Sequence, residues 1–177
     1  SDHHVVVPPD FDETYGYGGA LFDVDGDGRT DVFLGSFSEA TDSPPCVYRN
    51  TSTPGQIRFE ADPRLCDWTR GPYHAGTGVD LEGDGFDELV LLGDRAVALV
   101  RFHPTFKVTD LLRGFALDAR ERRCRAHDVL PVDLDLDGLL DLVVACIAIS
   151  ADETADAEGY FANLTLRQDA NGGFVPL

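Results

Sequence analysis

The chain has 177 residues, enough for one domain with a sizeable core or for a short array of repeats. Its hydrophobic content, 43%, is that of a globular protein, but 32 Asp and Glu against 14 Lys and Arg leave a formal charge of -18 and a pI near 4.3. A chain this acidic is repelled by phosphate backbones and anionic lipid, which excludes nucleic acid as a natural partner and makes cations the natural ones.

In chain order, the first clear elements lie in a stretch of about 15–65. A short apolar run, Gly19–Phe22, precedes an acidic loop, Asp23–Asp31, and Val32–Gly35 follows it. Both runs are too short for helices and read as strands joined into a hairpin. Cys46–Arg49 and Gln56–Phe59, separated by the Pro54-Gly55 turn, add two more strands. The same order returns over 70–115: Thr77–Val79, the loop Asp80–Glu88, then Leu89–Gly93, Ala96–Phe102 and Phe106–Leu112. Leucines near helical spacing in Thr109–Glu121 allow one helical turn there, interrupted by Gly114. Over 122–177 come Val129–Val132, the loop Asp133–Asp141, Leu142–Ala145, a polar loop Ser150–Gly159, and strands in Tyr160–Arg167 and Gly173–Leu177. The first aspartates of the loops are 57 and then 53 residues apart. Four strands in each unit of this size is the pattern of a propeller blade. The expected fold is all-β: one repeat domain, 1–177, forming a β-propeller-like array of about three four-stranded blades, with no internal linker.

The three loops align without gaps. Position 1 is Asp23, Asp80 or Asp133; position 3 is Asp25, Glu82 or Asp135; position 5 is Asp27, Asp84 or Asp137. Position 6 is glycine each time, which permits a sharp reversal. Position 9 returns a carboxylate from the start of the next strand: Asp31, Glu88 or Asp141. Calcium takes six to eight oxygens, and side chains at positions 1, 3, 5 and 9 can converge on it with a main-chain carbonyl near position 7 (Arg29, Phe86, Leu139). Four carboxylates within nine residues repel one another without a cation. About three calcium ions are therefore expected, one per loop. An EF-hand would need Glu at position 12 and an exiting helix, but that position holds Leu34, Leu91 and Val144 inside β-like runs. Magnesium prefers fewer carboxylates, and zinc would want His or Cys.

Asp-x-Asp-x-Asp-Gly-x-x-Asp followed by an apolar strand resembles the FG-GAP repeat of integrin α-subunit-like proteins. Val47-Tyr48-Arg49-Asn50 and Asn171-Gly172-Gly173-Phe174-Val175 are similar to blade endings of related repeats. The resemblance spans about 15–177. It implies calcium loops on the blades of an extracellular propeller used in recognition or adhesion. The second loop departs from the pattern with Glu82 and Glu88, and the family's Phe-Gly and Gly-Ala-Pro sequences are not matched. Three blades do not close a ring. Further blades of a longer protein, a second chain, or an open array would resolve this, the fragment being favoured; Val5–Val7 can lend a strand to an adjacent blade.

Four cysteines, Cys46, Cys66, Cys124 and Cys146, without a CxxC pair, fit two disulfides in an oxidising compartment. Of three possible pairings, nearness favours Cys46–Cys66 and Cys124–Cys146. Free thiols are the alternative. Two sequons begin at Asn50 and Asn163, and no apolar run reaches membrane-spanning length. A secreted, periplasmic or cell-surface location is expected. Tyr17, His74 and His127 each lie six residues before a loop, at equivalent positions, and form a candidate ligand face or simply fill the blade core. Trp68 and Tyr73 can stack on a sugar or pack structurally, and His3-His4 reads as a terminal segment rather than a metal tip. A calcium-dependent lectin is the alternative function, with a glycan rather than a protein as ligand. A hydrolase on a propeller scaffold ranks below both, because no nucleophile motif is present and the clustered carboxylates read as metal ligands.

Overall fold

The computed structural model describes residues 18–35, 45–66, 73–94, 96–115, 124–148 and 163–177. They form twelve strands in three four-stranded antiparallel sheets, each a meander in sequence order. The first holds β1 (Gly19–Phe22), β2 (Asp31–Leu34), β3 (Cys46–Asn50) and β4 (Phe59–Ala61). The second holds β5 (Tyr73–Val79), β6 (Glu88–Gly93), β7 (Ala96–Arg101) and β8 (Lys107–Asp110). The third holds β9 (Cys124–Val132), β10 (Asp141–Ala148), β11 (Leu164–Gln168) and β12 (Phe174–Pro176). The sheets form no closed barrel, and the array is all-β and propeller-like as expected. Each acidic loop is the hairpin connection between the first two strands of its sheet.

Several boundaries differ from expectation. β5 and β9 begin well before the apolar residues that announced them, and each pairs with its neighbour through a register shift. Gln56 closes a tight turn with Thr53, so the fourth strand starts at Phe59. In the stretch from Thr109, the first two residues end β8 and Leu111–Phe115 is bends and turn, with Gly114 at a φ of +90°; residues 116–121 lie outside the described residues. A helical turn instead occupies Pro63–Cys66 (α1). Asp62 caps it, its carboxylate accepting the Arg64 N–H at 3.0 Å, and Pro63 at the first helical position has no N–H to leave unsatisfied. Val5–Val7 and Ser150–Gly159 lie outside the described residues.

Side-chain alternation makes the second sheet two-faced. Leu89 and Leu91 of β6, with Ala98 and Val100 of β7, pack on Phe22, Phe33 and Val47 of the first sheet. Val90, Leu92, Val97 and Leu99 face the other way, onto Leu142, Val144, Leu164 and Leu166 of the third. β6 is accordingly apolar at consecutive positions where β1 alternates, because both its faces are buried. The outer sheets each keep an open face, where Leu21 and Leu130 are 69% and 61% exposed.

The first strands of the sheets meet closely. A Cβ at Gly78 of β5 would lie 2.1 Å from the Phe22 Cβ of β1, so glycine is what lets these strands approach. His74 ties three sheets together. Its main-chain carbonyl accepts the Gly18 N–H beside β1 at 2.8 Å, and its ring Nε2–H donates to the Ala126 carbonyl of β9 at 2.9 Å. Disulfides Cys46–Cys66 and Cys124–Cys146 join β3 to α1 and β9 to β10; by the loop-closure argument each is worth roughly 3 kcal/mol.

Candidate metal centres

The three loops repeat one hydrogen-bond scheme. The position-1 carboxylate accepts two backbone N–H groups, from positions 5 and 6: Asp27 and Gly28 on Asp23, Asp84 and Gly85 on Asp80, Asp137 and Gly138 on Asp133, all at 2.8–3.1 Å. The position-5 carboxylate accepts the N–H of position 7, from Arg29, Phe86 and Leu139 in turn. Position 9 closes the base of the loop by accepting the position-2 N–H: Val24 on Asp31, Leu81 on Glu88, Leu134 on Asp141. The other oxygens of Asp31 and Asp141 reach the third strand of their sheets, taking the N–H of Asn50 and of Gln168.

This scheme buries position 9. Asp31, Glu88 and Asp141 are at most 3% exposed. Burial pushes the Asp31 carboxyl up and the nearby Asp25 and Asp23 charges add to this, against the N–H groups of Asn50 and Val24. Burial likewise lifts Glu88, to about 7, with the Glu82 and Asp84 charges adding and the Leu81 N–H and Arg101 opposing. A cation in the loop works against each of these raising influences.

Two loops gather carboxylate oxygens tightly enough for an ion. Asp23, Asp25 and Asp27 form one group and Asp133, Asp135 and Asp141 another, with ligand atoms within 4.8 Å of one another. Asp25 Oδ1 is moreover buried and takes no hydrogen bond. An anionic oxygen shut away from water without a donor is costly, and a hard cation is the partner such an atom fits. Asp31 and Asp137, expected as ligands, lie outside these two groups. Asp80, Glu82, Asp84 and Glu88 form no such group.

Loop 2 is engaged differently. The Arg101 Nε donates to Glu82 Oε1 at 2.6 Å, and its Nη2 donates to the Gly172 carbonyl in the turn before β12 at 3.1 Å. On its other side, Asp87 Oδ2 accepts the Asp23 N–H at 2.9 Å, and the Phe86 ring, stacked on His103, lies against Gly26 of loop 1.

The arginine has counterparts that sequence reading passed over. Register aligns Tyr48, Val100 and Leu166, each opposite the residue after position 9. The next residues are Arg49, Arg101 and Arg167, so an arginine stands at one place on the third strand of every sheet. Arg167 approaches Asp135 at 3.5 Å, whereas Arg49 turns away toward Asp62 at 3.7 Å. A superposition of third strands would have revealed the recurrence.

Of the candidate ligand face, Tyr17 lies outside the described residues, His127 is exposed, and His74 is buried with its ring 6.3 Å from that of His127. Burial holds His74 below its ordinary pKa, and the charges of His127 and Arg125 push the same way against the Ala126 carbonyl and Asp94. Arg125 is paired in turn with Asp94 at 2.7 and 3.1 Å. Trp68 and His3-His4 lie outside the described residues. Of the two sequons, the Asn50 side-chain amide donates to the Thr30 carbonyl, whereas Asn163 is exposed.

The family model of the FG-GAP-like repeat matches residues 23–91, from position 1 of loop 1 into β6. Over that stretch the chain is similar to an FG-GAP-like repeat. Loop 3 lies beyond the matched residues, yet it reproduces the carboxylate–backbone hydrogen bonds of loop 1, so the structural repeat extends further than the family match. No curated protein matches the chain.

Proposed function

We propose that the chain is a calcium-stabilised segment of an FG-GAP-like β-propeller that serves recognition or adhesion outside the cytosol, the calcium being structural and the segment non-catalytic. The single observation that carries the calcium reading is the buried, unpartnered Oδ1 of Asp25 within a group of three carboxylates. Asp23, Asp25 and Asp27 would hold one ion and Asp133, Asp135 and Asp141 another, with main-chain carbonyls at Arg29 and Leu139 as further donors. Calcium would supply positive charge, which relieves the mutual repulsion of the carboxylates and holds the hairpin in register. Two disulfides support an oxidising compartment, and among the described residues no helix is long and apolar enough to cross a membrane. The partner would be a protein or a glycan, and further blades or a second chain would cover the open faces of the outer sheets.

The test is thermal unfolding of EDTA-treated protein before and after addition of calcium chloride. A ligand that binds only the folded state raises Tm by mass action, by roughly 3 kcal/mol of stability at a hundredfold excess over Kd. Calcium should raise Tm, and Asp25→Asn should shrink that rise. An identical Tm with and without calcium overturns the reading.

A further inference from the structure

Loop 2 carries the same sequence pattern as its neighbours, and each loop has an arginine against one of its carboxylates. Arg29 on Asp27 and Arg167 on Asp135 are exposed, whereas the arginine of loop 2 is enclosed. Arg101 reaches it from β7, and its side chain is 14% exposed, against 44% for the equivalent Arg167. The approach differs in the same sense: 2.6 Å from Arg101 to Glu82, 3.5 Å from Arg167 to Asp135. The shorter contact is a charge-assisted hydrogen bond, the longer one a loose exposed ion pair of small worth. The second bond, to the Gly172 carbonyl, fixes the guanidinium from the third sheet as well.

The departures of loop 2 from the repeat fit this partner. Glutamate at position 3 is one methylene longer than aspartate, and that length carries its carboxylate to Arg101. An arginine keeps its charge at every pH the protein meets, so nothing in ordinary solution vacates the place. Where loops 1 and 3 bring three carboxylates within reach of one ion, loop 2 does not.

We infer that the Arg101 guanidinium is the resident cation of loop 2, so that this loop takes no calcium. The inference rests on the reading of loops 1 and 3 as calcium sites, and with it the protein takes up two calcium ions rather than the three that its acidic pattern announces. Loop 2 would then be a permanent brace. Through Asp87 on the Asp23 N–H and Phe86 on Gly26 it holds loop 1 in shape, and through Arg101 on Gly172 it contacts the third sheet.

Calorimetric titration of the EDTA-stripped full chain with calcium chloride tests this. The wild type should take two equivalents, Arg101→Gln should gain a third, and Glu82→Gln should keep two. Three equivalents in the wild type, with one lost in Glu82→Gln, overturns the inference and leaves loops 1 and 3 as calcium sites. A folded Arg101→Gln variant that still takes two also overturns it. Should that variant fail to fold, the Glu82→Gln titration decides alone: two equivalents retained supports a loop without calcium, one lost refutes it. No uptake by the wild type overturns the calcium reading of loops 1 and 3 and this inference with it.

Discussion

Leu136 has a φ of +62° and is 86% exposed. It occupies position 4 of loop 3, where loops 1 and 2 have Gly26 and Gly83 at +70° and +68°. The left-handed conformation costs a residue with a Cβ about 1–2 kcal/mol, partly offset because glycine loses more freedom on folding. Leu136→Gly should therefore raise stability by roughly 0.5–1 kcal/mol, read from urea unfolding. Unchanged or lower stability would mean that the leucine makes contacts the strain argument omits. This position was hidden in the sequence because Leu136 resembles the apolar residues beside it. Positions 1, 3, 5, 6 and 9 were legible because carboxylate and glycine recur there. The third-strand arginines were not. A single arginine in a strand reads as a solvent-facing charge until register places three of them at one site.

α1 shows how much a short element can rest on one carboxylate. Asp62 caps the helix, and its oxygens also accept from the Arg64 guanidinium at 2.6–3.2 Å, with Arg49 at 3.7 Å. Burial by itself would raise the Asp62 carboxyl, but the Arg64 bonds and the Arg64 and Arg49 charges outweigh it and hold the pKa below its ordinary value. The folded pKa is depressed, so the stabilisation is present above the unfolded pKa and is lost as pH falls through the folded one. Asp62→Asn keeps a competent cap but loses the ion pair. We expect a cost on the order of 1 kcal/mol at neutral pH, part-exposure of Arg64 tempering it. The gap to wild type should close as pH drops below about 4, where an ordinary aspartate titrates. Thermal unfolding across pH 6 to 3 checks this; a gap that widens toward acid would contradict it. At the level of elements the sequence was a fair guide to strands with branched apolar runs. It shortened β5, because Gly76 interrupts the apolar run, and β9, because His127 and Asp128 do. Helix α1 escaped notice because four residues carry no period.

The packing of the whole molecule turns on the second sheet, which contributes to both cores. Its contact with the first sheet depends on glycine where the inner strands converge. Gly78→Ala places a methyl 2.1 Å from Phe22 Cβ. The strands must separate to accommodate it, at a cost of roughly 1–3 kcal/mol. Urea unfolding should show the midpoint falling accordingly; a neutral substitution would mean that the two sheets meet more loosely than described.

The distribution of cations across the sheets has a consequence for how the protein meets a changing environment. The middle sheet holds an enclosed guanidinium on a tether, whereas the outer two, whose arginines stand exposed beside Asp27 and Asp135, would take calcium from solution. On the reading proposed for loops 1 and 3, a fall in ambient calcium would loosen the two outer sheets while the middle one keeps its shape.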